Sequence, residues 1–231
     1  MATVILGINN GFALKRWPEP EAWAEIIGRE LGLRHVQLSF DLLDPAWPQP
    51  CLARLSERVR TAAVRHGLDI SSTFTGLVAY AQNLLAHPES DVRDHARRWF
   101  ESAVDVTAAL GARSTGGHMG ALSVRDYADP PQRAERRRVL IESVRSLSRK
   151  AAAVGLHNLL WEPMPVPREI PHTTDDSISA TVAHGTWNRR GTPMRGSRRC
   201  CPGPRSSICN RPTGWAITTG RSRVGSRPRG S

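Results

Sequence analysis

Two periods alternate along the first 178 residues. Short runs rich in β-branched and aromatic residues, Val4-Ile5-Leu6-Gly7-Ile8, His35-Val36-Gln37-Leu38-Ser39-Phe40 and Asp69-Ile70-Ser71-Ser72-Thr73-Phe74, predict three buried strands. Between them the apolar spacing turns helical. Trp23, Ile26, Ile27 and Leu31 form one stripe, opened by Pro20 and closed by Gly32, and Leu52, Leu55, Val59, Ala62 and Ala63 form a second, closed by Gly67. Val92, Ala96, Trp99, Ala103, Val106 and Leu110 predict a helix over 89–110 that Gly111 stops. A glycine-containing strand follows from Ala112 to His118. Leu140, Val144, Leu147, Ala151 and Val154 then line a long helix ending at Gly155, and residues 157–162 make a fifth strand.

A strand followed by a helix in every unit implies an α/β fold with a parallel sheet and helical crossovers. The count is about five strands and four helices. A closed (β/α) barrel needs eight of each over roughly 250 residues, so the body reads as an incomplete TIM-type barrel. An open doubly wound sheet is the structural alternative. Its usual phosphate fingerprint is missing, because Gly7-Ile8-Asn9-Asn10-Gly11 is not G-x-G-x-x-G.

Charge divides the chain in two. All 21 acids lie at or before Asp176, and residues 1–178 carry no net charge. Residues 179–231 hold 11 arginines, no acid, and three of the four cysteines (Cys200, Cys201 and Cys209), with Gly, Ser, Pro and Arg clusters in place of any apolar period. Such a stretch buries too little apolar surface to offset its ordering entropy, which predicts a disordered basic tail after a barrel portion over 1–178. The tail cysteines lack the C-x-x-C and histidine spacing of a zinc site. Met1-Ala2-Thr3 lacks a basic leader and Val4-Ile5-Leu6 is too short for a membrane span, so a cytoplasmic protein without membrane contact is expected. The lone body cysteine, Cys51, fits a reducing compartment.

In such a barrel the reactive groups collect at the carboxyl ends of the strands. Those ends carry Asn9 and Asn10, Ser39 and Asp41, Thr73 and Thr75, His118, and Glu162. Polar groups at five consecutive ends suit a sugar-binding bowl, in which each buried hydroxyl needs a partner. Glu162 follows the apolar Leu159-Leu160-Trp161 directly and would be costly to bury without a cation or a donor. It is the candidate proton-transferring acid and the candidate ligand for Mg²⁺, Mn²⁺ or a similar ion. His118 sits in Gly116-Gly117-His118-Met119-Gly120, where glycines let backbone approach a ligand and the imidazole can donate to a hydroxyl or a phosphate. Asp44-Pro45-Ala46-Trp47-Pro48 is a rigid loop whose indole covers either a sugar face or the barrel rim. Arg133, Arg136, Arg137 and Arg138 lie among Glu135 and Glu142 and read as a solvated helix face.

Five segments together resemble a known group: Gly7-Ile8-Asn9-Asn10-Gly11-Phe12-Ala13, Pro18-Glu19-Pro20-Glu21-Ala22-Trp23, Glu30 to Gln37, Gly116 to Gly120, and Trp161-Glu162-Pro163-Met164-Pro165-Val166-Pro167-Arg168-Glu169. They are similar to bacterial tetrulose-phosphate epimerases of erythritol catabolism, within the xylose-isomerase-like TIM-barrel superfamily. The resemblance implies a metal-dependent isomerase or epimerase of a small phosphorylated ketose, working through an enediolate. It implies Glu162 as metal ligand and proton-transferring carboxylate, and Asn9, Phe12, Thr75, His118 and Glu169 are the candidate substrate-binding residues beside it. A substrate-binding glutamate of the related ketose 3-epimerases falls six residues after the metal glutamate. Here that position is Arg168, and the acid is the next residue, Glu169. The remaining metal ligands of that superfamily, an Asp, a His and a second acid, come from later strands, and a homo-oligomer is expected of a full-length relative. From about Ser179 the arginine-rich sequence has the composition of a GC-rich gene read in a shifted frame, so an impaired enzyme with a weakly held metal is expected.

Two other classes fit parts of the chain. The basic tail suits phosphate contact, and metal-dependent apurinic endonucleases share the superfamily fold, but the neutral body offers no basic groove and nucleic acid is not the expected partner. A non-catalytic interaction protein would pair through the exposed edges of an unfinished barrel.

Overall fold

The computed structural model describes residues 4–173, 175 and 176. The predicted tail, 179–231, lies outside the described residues. Among the described residues there are five strands: β1 (Gly7–Asn9), β2 (His35–Ser39), β3 (Asp69–Phe74), β4 (Ser114–Gly117) and β5 (Asn158–Trp161). The helices are α1 (Pro20–Glu25), α2 (Gln49–Arg65), α3 (Ser90–Ala109), α4 (Val124–Ala128) and α5 (Pro130–Ala153). These strands pair in parallel, with order β1-β2-β3 in one ladder and β4-β5 in another, and a single antiparallel bridge joins Ala121 to Glu169. Arg113 N to Ser71 O at 3.4 Å and Thr75 N to Gly116 O at 2.9 Å set β4 beside β3. The spatial order therefore follows the chain order with no reversal, as in a barrel and unlike a doubly wound sheet.

Two large apolar clusters and a small third one (Val104, Ala151 and Leu156) fill the space between strands and helices. Trp23, Ile27, Val36, Leu38, Leu52 and Val59 belong to the first, and Phe100, Met119, Leu140, Val144 and Leu147 to the second. Removing a side chain such as Trp23, 1 % exposed, costs about 3–5 kcal/mol in lost burial and cavity. At the amino ends of the strands, Asp69 meets His35 at 3.1 Å and Arg113 at 2.9 Å. Burial raises its pKa, but the Ser71 hydroxyl, Arg113 and His35 outweigh it and hold the carboxyl below its ordinary value. This cluster sits at the end of the barrel that serves stability.

Three elements depart from their sequence-based expectation. Val4, Ile5 and Leu6 are 91, 68 and 70 % exposed rather than buried, and β1 starts three residues later, because the β2 ladder begins only at His35 opposite Gly7. The stripe expected through Leu31 breaks at a π-helical turn, Ile26–Glu30, where Leu31 N bonds Ile26 O at 2.9 Å. The wider turn shifts the phase, so Ile27 is buried and Leu31 is half exposed. The arginines of α5 are not simply a solvated face. Arg136 reaches the carboxylate of Asp126 at 3.2 Å, whose side chain is 2 % exposed, and Arg137 reaches Asp176 at 2.5 Å. Arg138 alone behaves as expected, between Glu135 and Glu142 on the surface.

Candidate active site

The carboxyl ends of β3, β4 and β5 meet at one point. Glu162 follows β5, and its backbone N–H donates to Gly117 O at 3.1 Å, which ties it to the end of β4. His118 follows β4 and is 1 % exposed, and its N–H donates to the Thr75 hydroxyl at 3.2 Å. Thr75 follows β3. Above them lies a residue the sequence did not single out. The Tyr80 ring stacks on the His118 imidazole with centroids 5.3 Å apart and planes 17° apart, and its hydroxyl donates to a carboxylate oxygen of Glu162.

The glycines between β4 and His118 serve this convergence. A Cβ on Gly116 would lie 1.8 Å from Leu160 O, and one on Gly117 would lie 2.3 Å from the Thr75 hydroxyl. They let the neighbouring backbones close up, which is a different task from the close approach to a ligand expected of them. The turn that bears Tyr80 is held in turn by Asp41, at the end of β2. Its carboxylate accepts from Leu77 N at 2.6 Å and Val78 N at 3.3 Å, and Gly76 gives it room.

The electrostatics follow from burial. The phenol of Tyr80 is pushed above its ordinary range by burial first, then by its bond to Glu162 and the negative charges of Glu162, Asp41 and Glu169. It stays protonated and remains a donor at neutral pH. Burial lowers the pKa of His118, opposed only by a contact with the Gln82 backbone, so the imidazole is neutral there. Among the described residues, His118 Nε2, Glu169 Oε2 and Asn10 Nδ2 are buried without a hydrogen-bond partner.

Other expected site residues make their contacts elsewhere. Asn9 donates to Gln37 at 2.9 Å and accepts from Gly11 N at 2.7 Å, so both ends of its amide are engaged. Phe12 packs against the first cluster and meets Trp17 edge-on at 6.2 Å. Thr73 is no part of the bowl. It points toward the helix layer, bonded to Thr107 at 2.6 Å and Thr115 at 2.7 Å. Trp47 packs against the first cluster, and Asp44 beside it accepts from Trp99 Nε1 at 2.8 Å, so this loop forms rim structure. Arg168 clasps Leu122 O at 2.7 Å, while Glu169 keeps one carboxylate oxygen buried.

Among the described residues no three His, Cys, Asp or Glu side chains converge as a metal cage. A divalent ion of this kind asks for about six oxygen ligands, and Glu162 offers one carboxylate. The described residues therefore do not fit a complete metal site.

A family model described as "Xylose isomerase-like TIM barrel" matches residues 27–180. The chain belongs to this family. It is 31 % identical over 169 residues to D-erythrulose 1-phosphate 3-epimerase of Brucella abortus (strain 2308), covering 73 % of this chain and 54 % of that one. A Rhodospirillum rubrum structure provisionally assigned as a xylose isomerase superposes with a TM-score of 0.75 at 32 % identity, covering 78 % of this chain and 61 % of that one. D-psicose 3-epimerase of Clostridium cellulolyticum H10, at 17 % identity and a TM-score of 0.58 over 77 % of this chain and 59 % of that one, shares the fold. The chain thus spans between half and two thirds of the length of these xylose isomerase-like relatives. Among the described residues no helix is long and apolar enough to cross a membrane.

Proposed function

We propose that this chain derives from an epimerase or isomerase of a small phosphorylated ketose, with a tetrulose phosphate as substrate. The observation that carries the reading is the Glu162 carboxylate at a barrel strand end, bonded to Tyr80 beside a neutral buried imidazole. The name of the Brucella relative supports the substrate class. Glu162 takes the proton from the carbon next to the carbonyl, and the electrons of that C–H bond move to form the enediolate. A proton delivered from water to the opposite face of that carbon gives the epimer, and Glu162 passes its own proton back to water. His118 and Thr75 hold substrate oxygens, and Glu169 offers a buried acceptor for a hydroxyl. A divalent ion such as Mn²⁺ or Mg²⁺ would be a further partner of Glu162 in a chain whose later strands supply the remaining ligands, and no step above runs through it.

The family match ends at residue 180, where the acid-free stretch begins, which supports the reading that the gene changes frame there. The test uses both forms. In deuterated solvent, the 231-residue chain should exchange the carbon-3 proton of D-erythrulose 1-phosphate no faster than buffer. A chain continued in the alternative frame should exchange it, and Glu162→Gln should slow that exchange about 10²–10⁴-fold. Exchange at the parent rate in Glu162→Gln refutes the role of this acid.

A further inference from the structure

We propose that Tyr80 is a displaceable plug, occupying the place of a polyhydroxylated ligand over His118 and Glu162 and leaving when that ligand binds. This deepens the reading of the site given above and rests on it. The phenol offers a flat ring face to the imidazole and one donating hydroxyl to the carboxylate. A sugar carbon chain presents the same pair of features, an apolar face with a hydroxyl at its edge. Beneath the ring, His118 Nε2 is buried without a partner among the described residues, on an imidazole 1 % exposed. Buried polar atoms are ordinarily satisfied, so one left open under a side chain that covers it points to a group waiting for a ligand.

The turn that carries Tyr80 is built to move. Val78–Ala81 is a single 3-10 turn, and Leu77 and Val78 are 69 and 62 % exposed, so it is weakly packed. It hangs between Gly76 at φ +79° and Leu84 at φ +47°. Beyond it the chain is fixed, with Asn83 donating to Ala121 O and Leu85 N to Met119 O. Behind the turn lies a cleft of about 710 Å³, walled by Val78, Ala79 and Ala81 on one side and by Phe40, Trp47 and Trp99 on the other. That space receives the ring when it swings out, and the Asp41 carboxylate on Leu77 N and Val78 N latches the closed form.

The test reads the accessibility of His118 rather than turnover. Diethyl pyrocarbonate modification, followed peptide by peptide by mass spectrometry, should be slow at His118 in the wild-type chain. Tyr80→Phe keeps the ring and loses the tie to Glu162, and should raise the rate about threefold. Tyr80→Ala should raise it at least tenfold, with the rate at His66, at the far end of α2, unchanged. Equal His118 rates in all three proteins overturn the proposal, as does a wild-type His118 rate equal to that of His66. D-erythrulose 1-phosphate should bind Tyr80→Ala at least tenfold more tightly than wild type, because no plug is displaced, and equal affinities also overturn it. Failure of this ligand to bind any variant, with the His118 pattern intact, refutes the substrate reading and leaves the plug standing.

Discussion

Gly116→Ala is the most demanding perturbation of the site's frame. The added Cβ would sit 1.8 Å from Leu160 O and 2.6 Å from the Leu160 carbonyl carbon, both backbone atoms of the neighbouring strand. Tolerable contacts begin at 3.0 Å, so β4 and β5 must part by about 1 Å along a four-residue ladder. Overpacking against an immovable neighbour costs about 1–3 kcal/mol. Holding alanine at φ +153° adds roughly 1–3 kcal/mol, which brings the expected loss to about 4 kcal/mol. With a urea dependence of about 2 kcal/mol per molar, the unfolding midpoint should fall by about 2 M. Gly155→Ala is the matched control, because Gly155 also has a positive φ, +86°, yet nothing lies within 4 Å of its Cβ position. It should lose only about 1–2 kcal/mol, the cost of the backbone conformation. Equal midpoint shifts for the two variants would refute the claim that strand closure, rather than backbone conformation, requires glycine at 116.

Arg136→Met should destabilise the chain by about 1–3 kcal/mol in urea unfolding, since it leaves the buried Asp126 carboxylate only the exposed Arg125 at 3.3 Å, and adding Asp126→Asn should recover at least half of the loss. Acidification should weaken the fold through His118. Its folded pKa lies below its unfolded value, so the unfolded chain takes the proton first. That stability is complete above about pH 6.5 and falls with pH by at most about 1.4 kcal/mol per unit. Urea midpoints taken from about pH 7 to 5 should show this component in wild type and not in His118→Asn; the carboxylates Asp69 and Asp176, both held below their ordinary values, lose their share only below about pH 4. Calorimetric titration of the 231-residue chain with Mn²⁺ should show only weak binding, with Kd on the order of a millimolar, because a single carboxylate leaves most of the shell to water.

Much of the framework is legible in the sequence because local period and burial agree. Asp69–Phe74 is the strand its composition predicts, and α3 occupies Ser90–Ala109 within the expected 89–110. The misplaced start of β1 shows what period cannot supply, since Val4-Ile5-Leu6 has strand composition but no facing strand to pair with at that register. Glu162 could be picked out as an acid directly after an apolar strand. Tyr80 could not, because its partner is 82 residues away and nothing near Tyr80 signals the bond. Asp41 was visible as a polar strand end, but its grip on two backbone N–H groups of the next loop depends on tertiary placement. The Arg136–Asp126 pair spans ten residues, outside helical spacing, so charge pattern alone made Arg136 look solvated.

The hydroxyls of Thr73, Thr107 and Thr115 are joined across two strands and a helix, and Thr107 also donates to Ala103 O at 2.6 Å. All three residues are buried, at 0, 0 and 3 % exposure, so each hydroxyl is satisfied chiefly by the others. Replacing Thr73, the middle of the three, by valine strips Thr115 of its hydroxyl partner in a dry interior while Thr107 keeps Ala103 O, whereas replacing all three keeps the volume and removes the need. Positions 73 and 115 should therefore vary together. Lineages should carry hydroxyls at both or apolar residues at both, because a chain that keeps the Thr115 hydroxyl without Thr73 leaves it unmatched.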